Sequence, residues 1–206
     1  MTKLYCYKVA RDYGFAPNPF WGFCTLACCK PDIRRSAQVG DWVVGGGSAQ
    51  NNMRHRVVFA MRVTEAMSFD QYWNDPRFTA KKPNVNKSAK HFFGDNIYHN
   101  VIESQSAEQS NSHHSFEGGN TNYANLHRDI SSNRVLISDH FIYFGKEAVE
   151  PPEHLKHKDG TDFPTDVRNY QNSYSVEHIR QIVKWLCSFD HRGVQGLPEA
   201  WKNPYA

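Results

Sequence analysis

A short apolar strand running into bare backbone, Gly40-Asp41-Trp42-Val43-Val44-Gly45-Gly46-Gly47-Ser48, constrains the fold of this chain more than any other stretch. Glycine tolerates positive φ and an aspartate side chain bonds nearby amides, so Gly40-Asp41 predicts a turn. Trp42 to Val44 are β-branched and aromatic residues, which predicts a strand. Three glycines after a strand carry no Cβ atoms, so either a neighbouring backbone or a ligand can lie close, and a plain loop or bulge is the competing reading. Arg34 and Arg35 stand just upstream, where their planar forks could hold a phosphate at the same mouth.

Short breaker-bounded runs recur along the chain. Residues 4–10, 23–29, 57–64, 134–137 and 141–144 predict strands, of which 57–64 is the clearest, long, apolar and free of breakers. Ser68 caps a short helix carrying Phe69, Tyr72 and Trp73, which Pro76 follows. Ser175 caps a longer helix to about residue 189, with Val176, Ile179, Val183 and Leu186 as its apolar stripe and Glu177 in its first turn. Between these elements the pattern decays. Residues 103–122 are rich in Ser, Asn, Gln, His and Gly, and loops this long are either functional or mobile.

A chain of 206 residues is long enough to bury a core without disulfides or metal. Strands and helices do not alternate as a doubly wound sheet requires. The expected class is therefore α+β, a small and mostly antiparallel β-barrel or curved sheet with peripheral helices and a C-terminal helix. The expected organisation is a single domain over 1–206, with a polar insertion at about 85–133 and a C-terminal helical segment at about 175–190.

The formal net charge of +3 makes any basic surface local, which permits nucleic-acid binding without demanding it. The five cysteines form no CxxC pair, and Cys24, Cys28 and Cys29 lack a zinc spacing, so they read as reduced thiols of a cytoplasmic protein with no metal. No signal segment and no long apolar run indicate secretion or a membrane. P-loop, dinucleotide, HExxH and nucleophile-elbow motifs are all absent, which argues against NTP hydrolysis and hydride transfer and leaves no cofactor expected.

Three constellations remain. The loop 12–21 gathers Tyr13, Phe15, Phe20 and Trp21 with Asp12 and Asn18, side chains that can sandwich a planar ligand and read its edge, or pack back onto the sheet. Lys30, Arg34 and Arg35 are the phosphate candidates; the lysines from Lys81 to Lys90 fit a solvated face better. Asp95-Asn96, His113-His114 and Asp139-His140 supply acid–base groups, with aspartate as a simple turn residue the plainer alternative.

The strings Asp12-Tyr13-Gly14-Phe15-Ala16-Pro17-Asn18-Pro19-Phe20, Lys30-Pro31-x-Ile33-Arg34-Arg35, Gly40-Asp41-Trp42-Val43-Val44-Gly45 and Tyr72-Trp73-x-Asp75-Pro76-Arg77-Phe78 resemble a bacterial and phage family. It is that of the nucleotide modification associated domains, the second of the series. The likeness runs on through Gly94-Asp95-Asn96-Ile97-Tyr98 and Val135-Leu136-Ile137-Ser138-Asp139, to about residue 150. More loosely, the Gly40-Asp41 turn and Ser48 are similar to the EVE and YTH members of the PUA-like group, small barrels that hold a modified base among aromatic rings.

The resemblance implies a domain that binds a nucleotide, or a modified base in nucleic acid, in a DNA-modification or phage-defence setting. Tyr13, Phe15 and Trp21 would stack on the base. Asp12, Asn18 and Ser48 would read its edge, Gly46 and Asn96 would line the site, and Lys30, Arg34 and Arg35 would hold phosphate. Two alternatives stand beside it. One is an enzyme modifying a base or nucleotide with Asp12, Asp95 or the Asp139-His140 pair as acid–base groups. The other is an interaction subunit whose residues 103–133 order on a protein partner from a DNA-modification system.

Overall fold

The computed structural model describes residues 1–102, 105–167 and 169–201. In chain order its strands are β1 (Leu4–Lys8), β2 (Cys24–Leu26), β3 (Trp42–Gly46), β4 (Val57–Arg62), β5 (Glu65–Met67), β6 (Tyr98–Ile102), β7 (Ser106–Gln109), β8 (Val135–Ser138), β9 (His140–Tyr143), β10 (His157–Lys158), β11 (Thr161–Asp162) and β12 (Gly193–Val194). The α-helices are α1 (Pro31–Ser36), α2 (Phe69–Asn74), α3 (Ala89–Phe92), α4 (Tyr123–Ile130), α5 (Glu153–Lys156) and α6 (Val176–Leu186).

The largest sheet has the order β1-β3-β4-β9-β12, and a smaller antiparallel sheet has the order β2-β8-β5. Among the described residues none of the sheets closes into a barrel, which corrects the barrel half of the barrel-or-curved-sheet expectation. The central strands β3, β4 and β9 pair antiparallel, whereas both edges are parallel, β1 with β3 and β12 with β9. A parallel neighbour needs a long crossover, and between β1 and β3 that crossover carries β2 and α1.

Strand alternation then sorts the side chains into layers. Tyr5, Tyr7, Val43, Phe59, Met61, Phe141 and Tyr143 face the small sheet through Cys24, Leu26 and Leu136. Leu4, Cys6, Trp42, Val44, Ala60 and Ile142 point the other way, onto Ile179, Ile182 and Leu186 of α6. The outer face of the small sheet, with Val135 and Ile137, is covered by Phe69 and Tyr72 of α2, Tyr98 of β6, and Leu126 and Ile130 of α4.

Two expectations shift within this frame. The buried stripe of α6 is His178, Ile179, Ile182 and Leu186, while Val176 is exposed, so the helix is rotated from the predicted stripe. His178 is accommodated by its ring nitrogen, 2.9 Å from the Leu155 carbonyl. The polar insertion is ordered through α3, the β6–β7 hairpin and α4, apart from residues 103 and 104, which lie outside the described residues. No helix among the described residues is long and apolar enough to cross a membrane.

The glycine run lies within and just after β3. A Cβ on Gly45 would meet Phe59 Cε1 at 2.2 Å, and one on Gly47 would meet Met53 Cβ at 2.4 Å. The missing side chains therefore admit the protein's own core, and the register slips between Gly45 and Gly46 as in a bulge.

Candidate functional site

Chemistry-bearing side chains converge where the turn after β2 enters α1. Cys29 and Lys30 both have left-handed backbone, φ 60° and 41°, directly before Pro31 opens the helix. A non-glycine residue pays for that conformation unless its surroundings hold it. Here Asp129 accepts the Cys29 amide at 2.9 Å, and Arg34 Nε donates to the Cys29 carbonyl at 2.9 Å. The rest of the Arg34 guanidinium binds the carbonyls of Ser132, Arg134 and Asp129. Arg34 thus ties Cys29 to the end of α4.

Asp129, fully buried near that end, also accepts from Tyr98 Oη at 3.0 Å, Arg128 Nε at 3.1 Å and His114 Nδ1 at 2.9 Å. Burial alone would push its carboxyl up, but the bonded His114, with Arg128 and Arg34, holds it below the usual carboxylate range. In the neutral imidazole a carboxylate on Nδ1 fixes the proton there and leaves Nε2, 3.7 Å from Cys29 Sγ, as the acceptor. Arg128 Nη2 lies 3.9 Å from the same sulfur. Burial pushes the Cys29 thiol up to about 11, with the Asp129 charge adding to it.

Cys29, Lys30 and His114 of this cluster line a cavity of about 440 Å³, within the size range of small-molecule sites. Tyr7, Tyr13, Phe15 and His113 supply rings, and Lys8, Arg11 and Lys30 stand along it. His113 packs 4.7 Å from Tyr13 and 5.3 Å from Phe15, and burial beside His114 lowers it to about 4, so its ring is neutral at ordinary pH. Lys30 Nζ sits 4.8 Å over the Tyr7 ring and donates to the Asn169 carbonyl. Lys8 pairs with Asp166 at 3.2 Å.

The family model for nucleotide modification associated domain 2 matches residues 1–204. The chain belongs to that family. No curated protein and no solved structure matches it. Within the nucleotide modification associated domain 2 framework, the predicted site residues divide sharply.

Tyr13, Phe15 and Lys30 line the cavity. Asp12 is buried beneath it, its carboxylate accepting Tyr143 Oη at 2.6 and 2.7 Å and the Gly14 amide at 3.2 Å; burial raises it. Asn18, Asp95 and Asn96 belong to a separate buried network. Lys81 Nζ donates to Asn18 Oδ1 at 2.7 Å, Asp95 accepts from Thr25 and Tyr72, and Asn96 donates to the Tyr72 carbonyl. Burial pushes Asp95 up to about 6 and Lys81 down to about 8.

The remaining candidates lie elsewhere. Arg34 is fully buried, so the expected phosphate contact is replaced by a carbonyl strut. Arg35 pairs with Asp32 at 2.8 Å on the surface. Gly46 packs against Pro164, and the Ser48 hydroxyl donates to the Ala10 carbonyl at 3.2 Å, so neither lines the cavity. Trp21 and Asp139 line a cavity of about 280 Å³, whereas His140 lines a groove of about 410 Å³ between Trp42 and α6. Asp139 is the bend between β8 and β9, and among the described residues it makes no hydrogen bond to His140, whose ring contacts Arg192 instead, so the two are not assembled as a dyad.

Sequence reasoning missed the Cys29–His114–Asp129 arrangement. The His113-His114 doublet was visible, but nothing in the sequence paired it with a cysteine eighty-five residues away. Asp129 gave no signal, since a polar residue in a helix ordinarily faces solvent. Cys28, His114 and Asp129 also bring donor atoms within 4.8 Å of one another, a trio of metal-ligating type that spacing did not suggest. His114 Nδ1 is already hydrogen-bonded to Asp129 there.

Proposed function

We propose that this chain binds a nucleotide, or a base presented by nucleic acid, in the cavity between the loop after β1 and the His113-His114 turn. The observation that carries the reading is one cavity lined by both rings and cations: Tyr13, Phe15 and His113 with Lys8, Arg11 and Lys30. Neutral rings suit the face of a base, and the cations suit its phosphate. Arg11 is exposed and forms no ion pair with a described residue, which leaves its guanidinium available to an anion. Membership of a family named for nucleotide modification supports the same reading, and the proposal places the chain in a DNA-modification or phage-defence setting.

The roles move with the geometry. Stacking belongs to Tyr13 and Phe15, and phosphate to Lys30 with Lys8 and Arg11. Trp21, Ser48, Arg34 and Arg35 fall outside the binding set, and Asp12, Asn18, Asp95 and Asn96 shape the loop from beneath. The PUA-like kinship enters only as an analogy of function, an aromatic pocket for a base, because the sheets form no closed barrel.

Calorimetric titration of nucleosides, nucleoside monophosphates and short oligonucleotides at low salt tests this. A monophosphate or oligonucleotide is expected to bind more tightly than the nucleoside. Tyr13→Ala is expected to weaken binding about tenfold, since one base–aromatic stack contributes ~1–3 kcal/mol. Absence of heat with every ligand, from folded protein, contradicts the proposal.

A further inference from the structure

We infer that Cys29, His114 and Asp129 form a nucleophile–base–orienter triad that adds the Cys29 sulfur to an electrophilic carbon of the nucleotide in the same cavity. The nucleophile rests on the triad's own geometry, and the identity of what it attacks rests on the nucleotide reading above. Asp129 sets the tautomer of His114, whose free Nε2 then faces the sulfur at 3.7 Å. Such contacts are often loose before substrate arrives. Cys29 and His114 both line the cavity, whereas Cys6, Cys24 and Cys28 are buried away from it.

Cys29 is held more rigidly than a packing residue requires. Its left-handed backbone is clamped at the amide by Asp129 and at the carbonyl by Arg34, so the orienting carboxylate fixes both base and nucleophile. Arg34 is a positioning residue here, acting through Cys29 and the end of α4. In the step, His114 Nε2 takes the thiol proton as sulfur bonds to an sp² carbon. The π pair of that C=N or C=O bond moves onto its heteroatom, which receives the proton back from the imidazolium. Atoms and electrons balance with no further reactant, and the product is a covalent, reversible adduct.

The groups facing the sulfur are His114, Asp129 and Arg128 from the insertion, Lys30 just before α1, Arg34 from α1, Tyr7 from β1 and the neighbouring Cys28. Burial and Asp129 hold the thiol protonated, so reactivity near neutral pH depends on His114 accepting the proton. That dependence separates a triad from a merely buried cysteine.

Iodoacetamide alkylation, followed peptide by peptide by mass spectrometry between about pH 6 and pH 9, reads it directly. The exposed Cys187 serves as the internal standard. Cys29 is expected to react at least about tenfold faster than Cys187 near neutral pH, and His114→Ala to remove that advantage while Cys187 is unchanged. His114→Asn is the second variant, with circular dichroism establishing that each is folded. A nucleoside monophosphate is expected to slow Cys29 alone. Reactivity of Cys29 no greater than that of Cys187 across the range, or unmoved by both variants, overturns the triad. Stoichiometric zinc in the purified protein, lost in Cys28→Ser, also overturns it, because His114 would then be a ligand. Reactivity that depends on His114 but ignores every nucleotide keeps the triad and overturns the nucleotide reading.

Discussion

Arg34 shows how one side chain can be misjudged by type. A guanidinium next to a glycine-rich strand suggests an anion, yet this one reaches no solvent and serves the carbonyls of Cys29, Asp129, Ser132 and Arg134. Each buried carbonyl left without a donor costs ~1–3 kcal/mol, so Arg34→Ala is expected to lose more than about 3 kcal/mol in urea unfolding. Arg34→Lys is expected to recover only part of that, since an ammonium lacks the planar fork. A loss below about 1 kcal/mol would contradict the strut. Asp95 titrates in the opposite sense from a paired surface carboxylate. Its folded value is raised from 3.8 to about 6, so its stabilising share is full below the unfolded value and is lost as pH rises through about 6. Thermal melts should therefore show the advantage of wild type over Asp95→Asn shrinking from about pH 4 to about pH 7. A constant gap would contradict that sign.

At the scale of elements, β3 is where local pattern and tertiary packing met most clearly. Gly45 has ordinary strand backbone, so its small size is needed only because Phe59 occupies the space. Gly45→Ala is expected to cost ~1–3 kcal/mol by overpacking, and Phe59→Leu in the same chain to return part of it, as a double-mutant cycle in denaturant would measure. Full additivity of the two changes would contradict the contact. The strands 57–64, 134–137 and 141–144, and the helix after Ser175, were legible because each carries its own period or cap. Parallel edges, the absence of barrel closure and the rotation of α6 were not, since these depend on partners far along the chain. The loop 12–21 was legible as a cluster of rings, of which Tyr13 and Phe15 line the cavity. Its glycine partner was not, because only the fold reveals that Phe59 and Met53 fill the space.

At the scale of the whole molecule, the polar insertion proves to be the decisive part. It had suggested a segment that orders on a partner; its described residues bring His113 and His114 to a cavity whose other wall comes from β1 and the loop after it, with Asp129 buried behind His114. The far end of the chain braces that loop from outside. Trp201 Nε1 donates to the Tyr13 carbonyl at 3.0 Å, and its ring stacks on Phe20 with centroids 5.3 Å apart. Segments remote in sequence therefore meet at one place, and no local pattern could have announced it. The groove between Trp42 and α6, with His140 on its wall, is the rival location for a ligand. The most direct measurement is the set of ring resonances of ¹⁵N-labelled histidines, recorded with and without a saturating nucleoside monophosphate. The account predicts that His113 and His114 move while His140 does not; movement of His140 alone, or of none of the three, would contradict it.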